Sequence, residues 1–241
     1  MSYIIDAHNH AGIRHGACQT GEQLVAKMDK VGVDKAVIFP FTEGDFTNDS
    51  IHEYAQQFSD RLIPYCSVNP WNTKTALKEL EMCLGKLEFK GIKLHPTLHG
   101  FHLSDPQLVN PIFDIAEQFH VPIISHGAAD LFNCPAEFAI IAKRFPKVNL
   151  LMAHCGFFWS VDHAIEFAKE IPNLYLEASR VPVFELSEVV KKLGPEKLIW
   201  GTDSPFVDYE WEYKKMERVS DSKEAHDLIV GGNIARLLGL D

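Results

Sequence analysis

Short apolar runs alternate with longer amphipathic stretches along the whole chain. The apolar runs have about the length of a β-strand and are rich in β-branched and large aliphatic residues. They lack strict polar alternation, which is typical of parallel strands buried on both faces. The pattern predicts eight strands, over residues 3–6, 35–39, 62–66, 91–95, 122–126, 149–154, 174–177 and 197–201.

The stretches between these runs have the periodicity of amphipathic helices. Leu77, Leu80 and Leu84, for example, share one face of the 73–87 stretch, and lysines and glutamates occupy the other. Helices are predicted over residues 21–31, 48–58, 73–87, 104–119, 135–145, 161–171 and 184–193. The tail, residues 221–240, is predicted to form one or two closing helices interrupted at Gly231 and Gly232.

Eight strands that alternate with helices predict an α/β fold, a (β/α)8 TIM barrel. Such a barrel needs roughly 250 residues, and the chain has 241. No linker, low-complexity segment or break in composition is visible, so one domain over residues 1–241 is expected.

Composition and charge exclude several classes of function. The net charge is −10 and no basic run stands out, which argues against nucleic-acid binding. No stretch has the ~18 uninterrupted apolar residues of a membrane span, and residues 1–6 do not resemble a signal peptide. The five cysteines form no C-x-x-C pair, so reduced thiols and a cytoplasmic location are expected.

The histidines mark the candidate site. His8, His10, His95, His126 and His154 stand at or just past the ends of predicted strands. In a barrel these ends line one rim, where the following loops build the active site. His8 and His10 are two apart on an extended segment, so both imidazoles project to the same side and offer two nitrogen ligands to a metal ion.

Asp203 follows the last predicted strand and precedes Ser204 and Pro205. Taken alone, it is typical of a turn or a helix cap. On the same rim as the histidines, its carboxylate could instead bind the metal or accept a proton from a metal-bound water.

These motifs together resemble the amidohydrolase superfamily, and more narrowly its amidohydrolase 2 family, which contains aminocarboxymuconate-semialdehyde decarboxylase and related decarboxylases, lactonases and hydratases. The resemblance runs from residue 6 to 240, in the order of the family's motifs. The matching segments are Asp-Ala-His-Asn-His at 6–10, Gly-Ile-Lys-Leu-His-Pro at 91–96, Ser-His-Gly at 125–127, Ala-His-Cys-Gly at 153–156, Gly-Thr-Asp-Ser-Pro at 201–205 and the end at 232–240.

The resemblance implies a metal site and assigns its ligands. His8, His10, His126 and Asp203 become the ligands of one divalent ion, and His154 becomes the residue that polarises the substrate or moves a proton. Asp203 and His154 are therefore the expected catalytic residues. Imidazole and carboxylate ligands favour Zn²⁺, although Mn²⁺, Fe²⁺ or Co²⁺ suits the same set.

Five more residues are candidates for substrate binding: Lys93, His95, Arg180, Arg14 and Trp159. Lys93 lies near the position at which two-metal members of the superfamily carry a bridging carboxylated lysine. Members of the amidohydrolase 2 family resemble the single-metal enzymes of the superfamily instead. The resemblance therefore implies no second metal ion. The alternatives are a structural salt bridge for each cation and packing for Trp159.

The principal expectation for function is hydrolysis of an ester, lactone or amide in a small metabolite bearing a carboxylate, by a metal-activated water. The alternative is non-oxidative decarboxylation on the same scaffold. A non-catalytic binding module would lack the proton-transfer groups His154 and Asp203. The sequence leaves a homo-oligomer open.

Overall fold

The computed structural model describes residues 3–14, 16–41, 47–128 and 130–240. Within these residues, nine strands form one sheet. In chain order the strands are β1 (Ile5–Arg14), β2 (Ala17–Gln19), β3 (Lys35–Pro40), β4 (Leu62–Ser67), β5 (Gly91–Leu94), β6 (Ile123–Ser125), β7 (Leu150–Met152), β8 (Leu174–Glu177) and β9 (Leu198–Ile199).

Eight of these strands form a closed parallel barrel. β1 pairs with β3, and each later strand pairs with the next as far as β9. The sheet closes on itself because Ala7 N donates to Trp200 O at 3.1 Å and Asp203 N donates to His8 O at 2.9 Å. The predicted (β/α)8 barrel is confirmed.

Helices follow the strands and surround the barrel. They are α1 (Gly21–Val31), α2 (Asn48–Gln57), α3 (Thr73–Gly85), α4 (Pro96–His99), α5 (Asn110–Phe119), α6 (Pro135–Arg144), α7 (Phe157–Glu170), α8 (Val183–Leu193), α9 (Tyr209–Lys214), α10 (Met216–Val219), α11 (Lys223–Asp227) and α12 (Asn233–Leu238). Among the described residues, no helix combines the length and the apolar character that crossing a membrane requires.

Alternate residues of each strand face two different cores. On β3, Val37 and Phe39 belong to the cluster inside the barrel, whereas Ala36 and Ile38 belong to the cluster between the strands and the outer helices. The two-residue period of a strand produces this division. Because both faces are buried, the strands appear in the sequence as continuous apolar runs.

The end of β1 and the start of α5 differ most from the predicted boundaries. β1 extends to Arg14, so the first two site histidines lie inside the strand rather than past its end, and it forms an unpredicted antiparallel pair with β2. The helix predicted from residue 104 begins at Asn110. Before it, the Asp105 carboxylate accepts hydrogen bonds from the backbone N–H groups of Gln107 and Leu108, an Asx turn that competes with helix formation.

The tail is not interrupted at its two glycines. A π-helical turn, Leu228–Gly232, joins α11 to α12 and keeps the chain helical. A Cβ on Gly231 would lie 1.6 Å from the backbone oxygen of Tyr3, so the glycine allows the tail to pack directly against the start of the chain. Ile234, on α12, joins the cluster inside the barrel.

We expect Gly231→Ala to lower the free energy of unfolding by about 3 kcal/mol, because backbone must move to admit the methyl group. Gly232→Ala is the matched control. Gly232 has helical φ and ψ, and its Cβ would meet no atom closer than 3.4 Å. The control should be between neutral and about 1 kcal/mol more stable. Urea unfolding of both variants checks this, and equal stabilities would contradict it.

Candidate metal centre

Barrel closure brings His8 and His10 of β1 against Asp203, which follows β9. The Nε2 atoms of His8 and His10 lie 3.3 and 3.2 Å from Asp203 Oδ1. All three residues are buried, and their donor atoms lie within 4.8 Å of one another. Neighbouring ligand atoms around a tetrahedral ion with bonds of about 2.1 Å are about 3.4 Å apart. The arrangement therefore fits a divalent cation.

Asp6 holds this corner of the barrel together. It is fully buried, and its carboxylate accepts hydrogen bonds from His8 N, Thr202 N and Thr202 Oγ1 at 3.0, 3.0 and 2.7 Å. Burial raises the pKa of Asp6 to about 7, although these hydrogen bonds act in the opposite direction. Asp6 thus fixes the backbone on both sides of the ligand cluster.

Three predicted site residues have left-handed backbone conformations. The φ angles are +62° at His154, +65° at Arg180 and +57° at Asp203. Each follows a different strand, β7, β8 or β9. A residue with a Cβ pays roughly 1–2 kcal/mol for this conformation, and such strain concentrates at functional sites.

His126, the fourth predicted ligand, lies beside this cluster. Its ring centroid is 4.1 Å from that of His95, in a stacked pair, and 5.0 Å from that of His154. The group of donor atoms that all lie within 4.8 Å of one another contains His8, His10 and Asp203 but not His126. Its role as a ligand stays a prediction.

Burial keeps the site histidines neutral. It lowers the pKa of His8, His10 and His154 well below 6.5 and that of His126 to about 3, and the nearby ammonium of Lys93 adds to each shift. Neutral imidazole is the form that binds metals, so these residues need no deprotonation at pH 7.

Lys93 is fully buried, and its Nζ lies 3.2 Å from His8 Nε2 and 4.8 Å from the centre of the Phe39 ring. Burial lowers its pKa to about 8, against the attraction of Asp203 and Glu177. Among the described residues, no carboxylate lies within 4 Å of this ammonium group. A buried lysine with no carboxylate partner is unusual.

The other candidate cations and His95 also face the cluster. Arg180 Nε donates to Asp203 Oδ2 at 2.8 Å, and its side chain is 35% exposed. The charge of Arg14 contributes, after burial, to the lowered pKa values of His10 and His95. The backbone N–H of Leu98 donates to His95 Nδ1 at 3.4 Å, so the His95 Nε2 carries the proton.

Among the predicted site residues that the structure describes, Trp159 is the most exposed. It stands in the first turn of α7 and is 79% exposed. Its part in substrate binding stays a prediction.

Glu177, the last residue of β8, is a site residue that the sequence analysis missed. It is fully buried, and its Oε2 lies 2.8 Å from His8 Nδ1. Burial raises its pKa to about 7. The available signal was an acidic residue at the end of an apolar strand. Its partner, His8, is 169 positions away in the sequence, so no local pattern connects the two.

A sequence profile of the amidohydrolase family matches residues 5–240. The chain belongs to the amidohydrolase 2 family. A curated relative, 2-amino-3-carboxymuconate-6-semialdehyde decarboxylase of Dictyostelium discoideum, is 24% identical over an alignment 238 residues long; the match covers 81% of this chain and 66% of the relative. The match thus spans just under two thirds of the relative's length.

Two solved structures share the fold. 2,6-Dihydroxybenzoate decarboxylase from Rhizobium has a TM-score of 0.79 and 16% identity, with full coverage of both chains. 5-Carboxyvanillate decarboxylase from Novosphingobium aromaticivorans, solved with manganese and 4-hydroxy-3-methoxy-5-nitrobenzoic acid, has a TM-score of 0.77 and 15% identity over 98% of this chain and 96% of the other.

The comparisons contradict hydrolysis as the principal reaction. The curated relative and both solved structures are named as decarboxylases. The sequence analysis ranked hydrolysis first, although the ligand motifs are common to both reactions. The ranking was therefore wrong, and these names favour its alternative, decarboxylation.

We expect His10→Ala and Asp203→Asn each to lose most of the metal that the wild-type protein retains, because each removes a ligand atom from a buried cluster. Elemental analysis of protein purified without added metal measures this. His163→Ala, on the exposed face of α7, is the control and should keep wild-type metal content. Full metal content in both ligand variants would contradict this assignment of the ligands.

Proposed function

We propose that this protein is a metal-dependent, non-oxidative decarboxylase of a small unsaturated or aromatic carboxylic acid. The observation that carries the proposal is the buried ammonium group of Lys93, which lies beside the metal ligands and has no carboxylate within 4 Å among the described residues. A substrate carboxylate would provide the missing counter-charge. The decarboxylase names of the relatives support the reaction type.

Two other groups favour an anionic substrate with an adjacent oxygen. Arg180 borders the cluster and remains 35% exposed on its side chain, so it is open to a ligand as well as bonded to Asp203. His95, stacked on His126, presents an Nε2–H donor. The compound 2,6-dihydroxybenzoate, the substrate named for one solved neighbour, has its carboxylate between two hydroxyl groups.

The residues that would hold the ion are His8, His10, His126 and Asp203. When bound, the ion would act as a Lewis acid that polarises the substrate oxygens and stabilises negative charge on them. The donor set suits Zn²⁺ and Mn²⁺ alike, and manganese in one solved neighbour supports Mn²⁺.

His154 is the proposed proton carrier. Its Nδ1 faces Ser179, which leaves Nε2 for the substrate. Neutral His154 takes the proton of the substrate hydroxyl and delivers it to the carbon that bears the carboxylate. The C–C bond then breaks, its electron pair returns through the unsaturated system to the oxygen, and CO2 leaves. A proton from solvent restores the hydroxyl.

Release of CO2 tests the proposal directly. Metal-loaded protein is incubated with a panel of 2-hydroxybenzoates, carboxylated phenols and unsaturated amino acids, and ¹³CO2 from carboxyl-labelled substrates is measured. We expect His154→Ala to lower kcat by about 10²–10⁴-fold, whereas the surface control His163→Ala keeps wild-type turnover. Turnover of panel members without labelled CO2 would sink the proposal.

The charge of Lys93 should control substrate affinity as the pH changes. The ammonium form binds the carboxylate, and its pKa is lowered to about 8. A bound divalent cation lowers this pKa further, so KM should rise with pH over a range that begins at or below about 8. In Lys93→Met, KM should already be high and this rise should be absent. Steady-state kinetics from about pH 6 to 9 compares the two, and identical profiles would contradict the role of Lys93.

A further inference from the structure

The side-chain carboxylate of Glu177 accepts four hydrogen bonds. Its Oε2 receives His8 Nδ1–H at 2.8 Å, Ser179 Oγ–H at 2.8 Å and the backbone N–H of His154 at 3.3 Å. Its Oε1 receives the backbone N–H of Ser179 at 2.7 Å. Four donors converge on two oxygens, which is a set that only a carboxylate can satisfy fully.

The first consequence concerns His8. Because Glu177 accepts from His8 Nδ1, that nitrogen carries the proton and Nε2 keeps its lone pair. Nε2 is the atom that faces Asp203, at 3.3 Å. Glu177 therefore selects the tautomer of His8 that can bind a metal ion.

The second consequence concerns His154, which Glu177 reaches through Ser179. The Ser179 hydroxyl donates to Glu177, so its oxygen is free to accept from His154 Nδ1, 2.9 Å away. The backbone oxygen of Ser179 lies 3.2 Å from the same Nδ1. Both acceptors fix the proton on Nδ1 and leave the Nε2 of His154 as a base.

The packing around Glu177 independently indicates that its placement is constrained. A Cβ on Gly201 would lie 2.5 Å from Glu177 Oε1 and 2.8 Å from His8 Cβ. Only glycine at this position lets the segment that follows β9 approach both side chains closely enough for their hydrogen bond.

We propose that Glu177 is a positioning residue that acts on two histidines at once: it fixes the tautomer of His8 directly, and it orients the Ser179 hydroxyl so that its oxygen joins the Ser179 backbone oxygen as an acceptor for His154 Nδ1. A single carboxylate thus prepares both a metal ligand and the proton carrier. The part of His154 in this inference rests on the proposed function, whereas the part of His8 does not.

Glu177→Leu removes all four acceptor contacts and tests the proposal in metal-free protein. ¹⁵N NMR of the histidine rings distinguishes the tautomers. In the wild type, His8 and His154 should both carry the proton on Nδ1. In Glu177→Leu, Nδ1 loses its acceptor, so the fraction of His8 that carries the proton on Nε2, facing Asp203, should rise although the Lys93 ammonium opposes this. Zn²⁺ affinity, measured by competition with a chromophoric chelator, should fall about 10–100-fold.

Ser179→Ala separates the effect of Glu177 on His154 from its effect on His8. It removes the hydroxyl between Glu177 and His154 but leaves the Glu177–His8 bond, so the tautomer of His8 and the Zn²⁺ affinity should stay as in the wild type, within about twofold. The kcat with a decarboxylation substrate should fall about tenfold or more, with KM little changed. Ser187→Ala, the same substitution on α8, is the matched control and should change neither quantity.

The outcomes that overturn the proposal differ from those that overturn the proposed function. Wild-type Zn²⁺ affinity and an unchanged His8 tautomer in a folded Glu177 variant would refute it, as would an equal loss of affinity in Ser179→Ala. If Glu177→Leu does not fold, Glu177→Gln is used for the same test. Its amide has only one acceptor oxygen for the four donors, so the Zn²⁺ affinity should fall as well, but by less. Because tautomer and affinity are measured without substrate, absence of decarboxylation would leave the result for His8 intact.

Discussion

The closure of the barrel between β1 and the segment after β9 is the constraint on which the site depends. Two backbone hydrogen bonds, from Asp203 N to His8 O and from His10 N to Ser204 O, join residues from opposite ends of the chain. The same register places the Asp203 carboxylate against both histidines. The Asp6 carboxylate adds hydrogen bonds to β1 and to the segment after β9, from His8 N and Thr202 N. The fold and the ligand cluster are therefore stabilised by the same contacts.

Burial decides the electrostatics at this seam. The imidazoles of His8, His10 and His154 are removed from water, so their neutral forms dominate and remain available as ligands or as a base. The same burial weakens the charge of Lys93, which lies among them. A site built this way favours a divalent cation and an anionic substrate together, because each compensates the charge that the other brings into a region of low dielectric.

The sequence allowed the ligand-bearing strand ends to be predicted for specific reasons. His8 and His10 are two apart on a strand, and Asp203 follows another strand, so the period of a strand and the common direction of parallel strands were enough to bring them together. Glu177 escaped notice because its value depends on the pairing of β8 with β9 and on the space left by Gly201. The orientation of Trp159 depends on how α7 is rotated against the barrel, which local periodicity does not determine. The two reactions were ranked wrongly because the ligand motifs that the sequence offers do not distinguish hydrolysis from decarboxylation.

The left-handed backbone at His154, Arg180 and Asp203 places stability and function in opposition at those positions. Glycine would relax each of these turns, yet it would remove an imidazole, a guanidinium or a carboxylate from the site. Selection for a more stable barrel alone would therefore favour replacement of these side chains in the loops after β7, β8 and β9. Attempts to engineer a more robust protein can gain stability from the outer helices, whereas these three residues set a limit to the stability that an active barrel can reach.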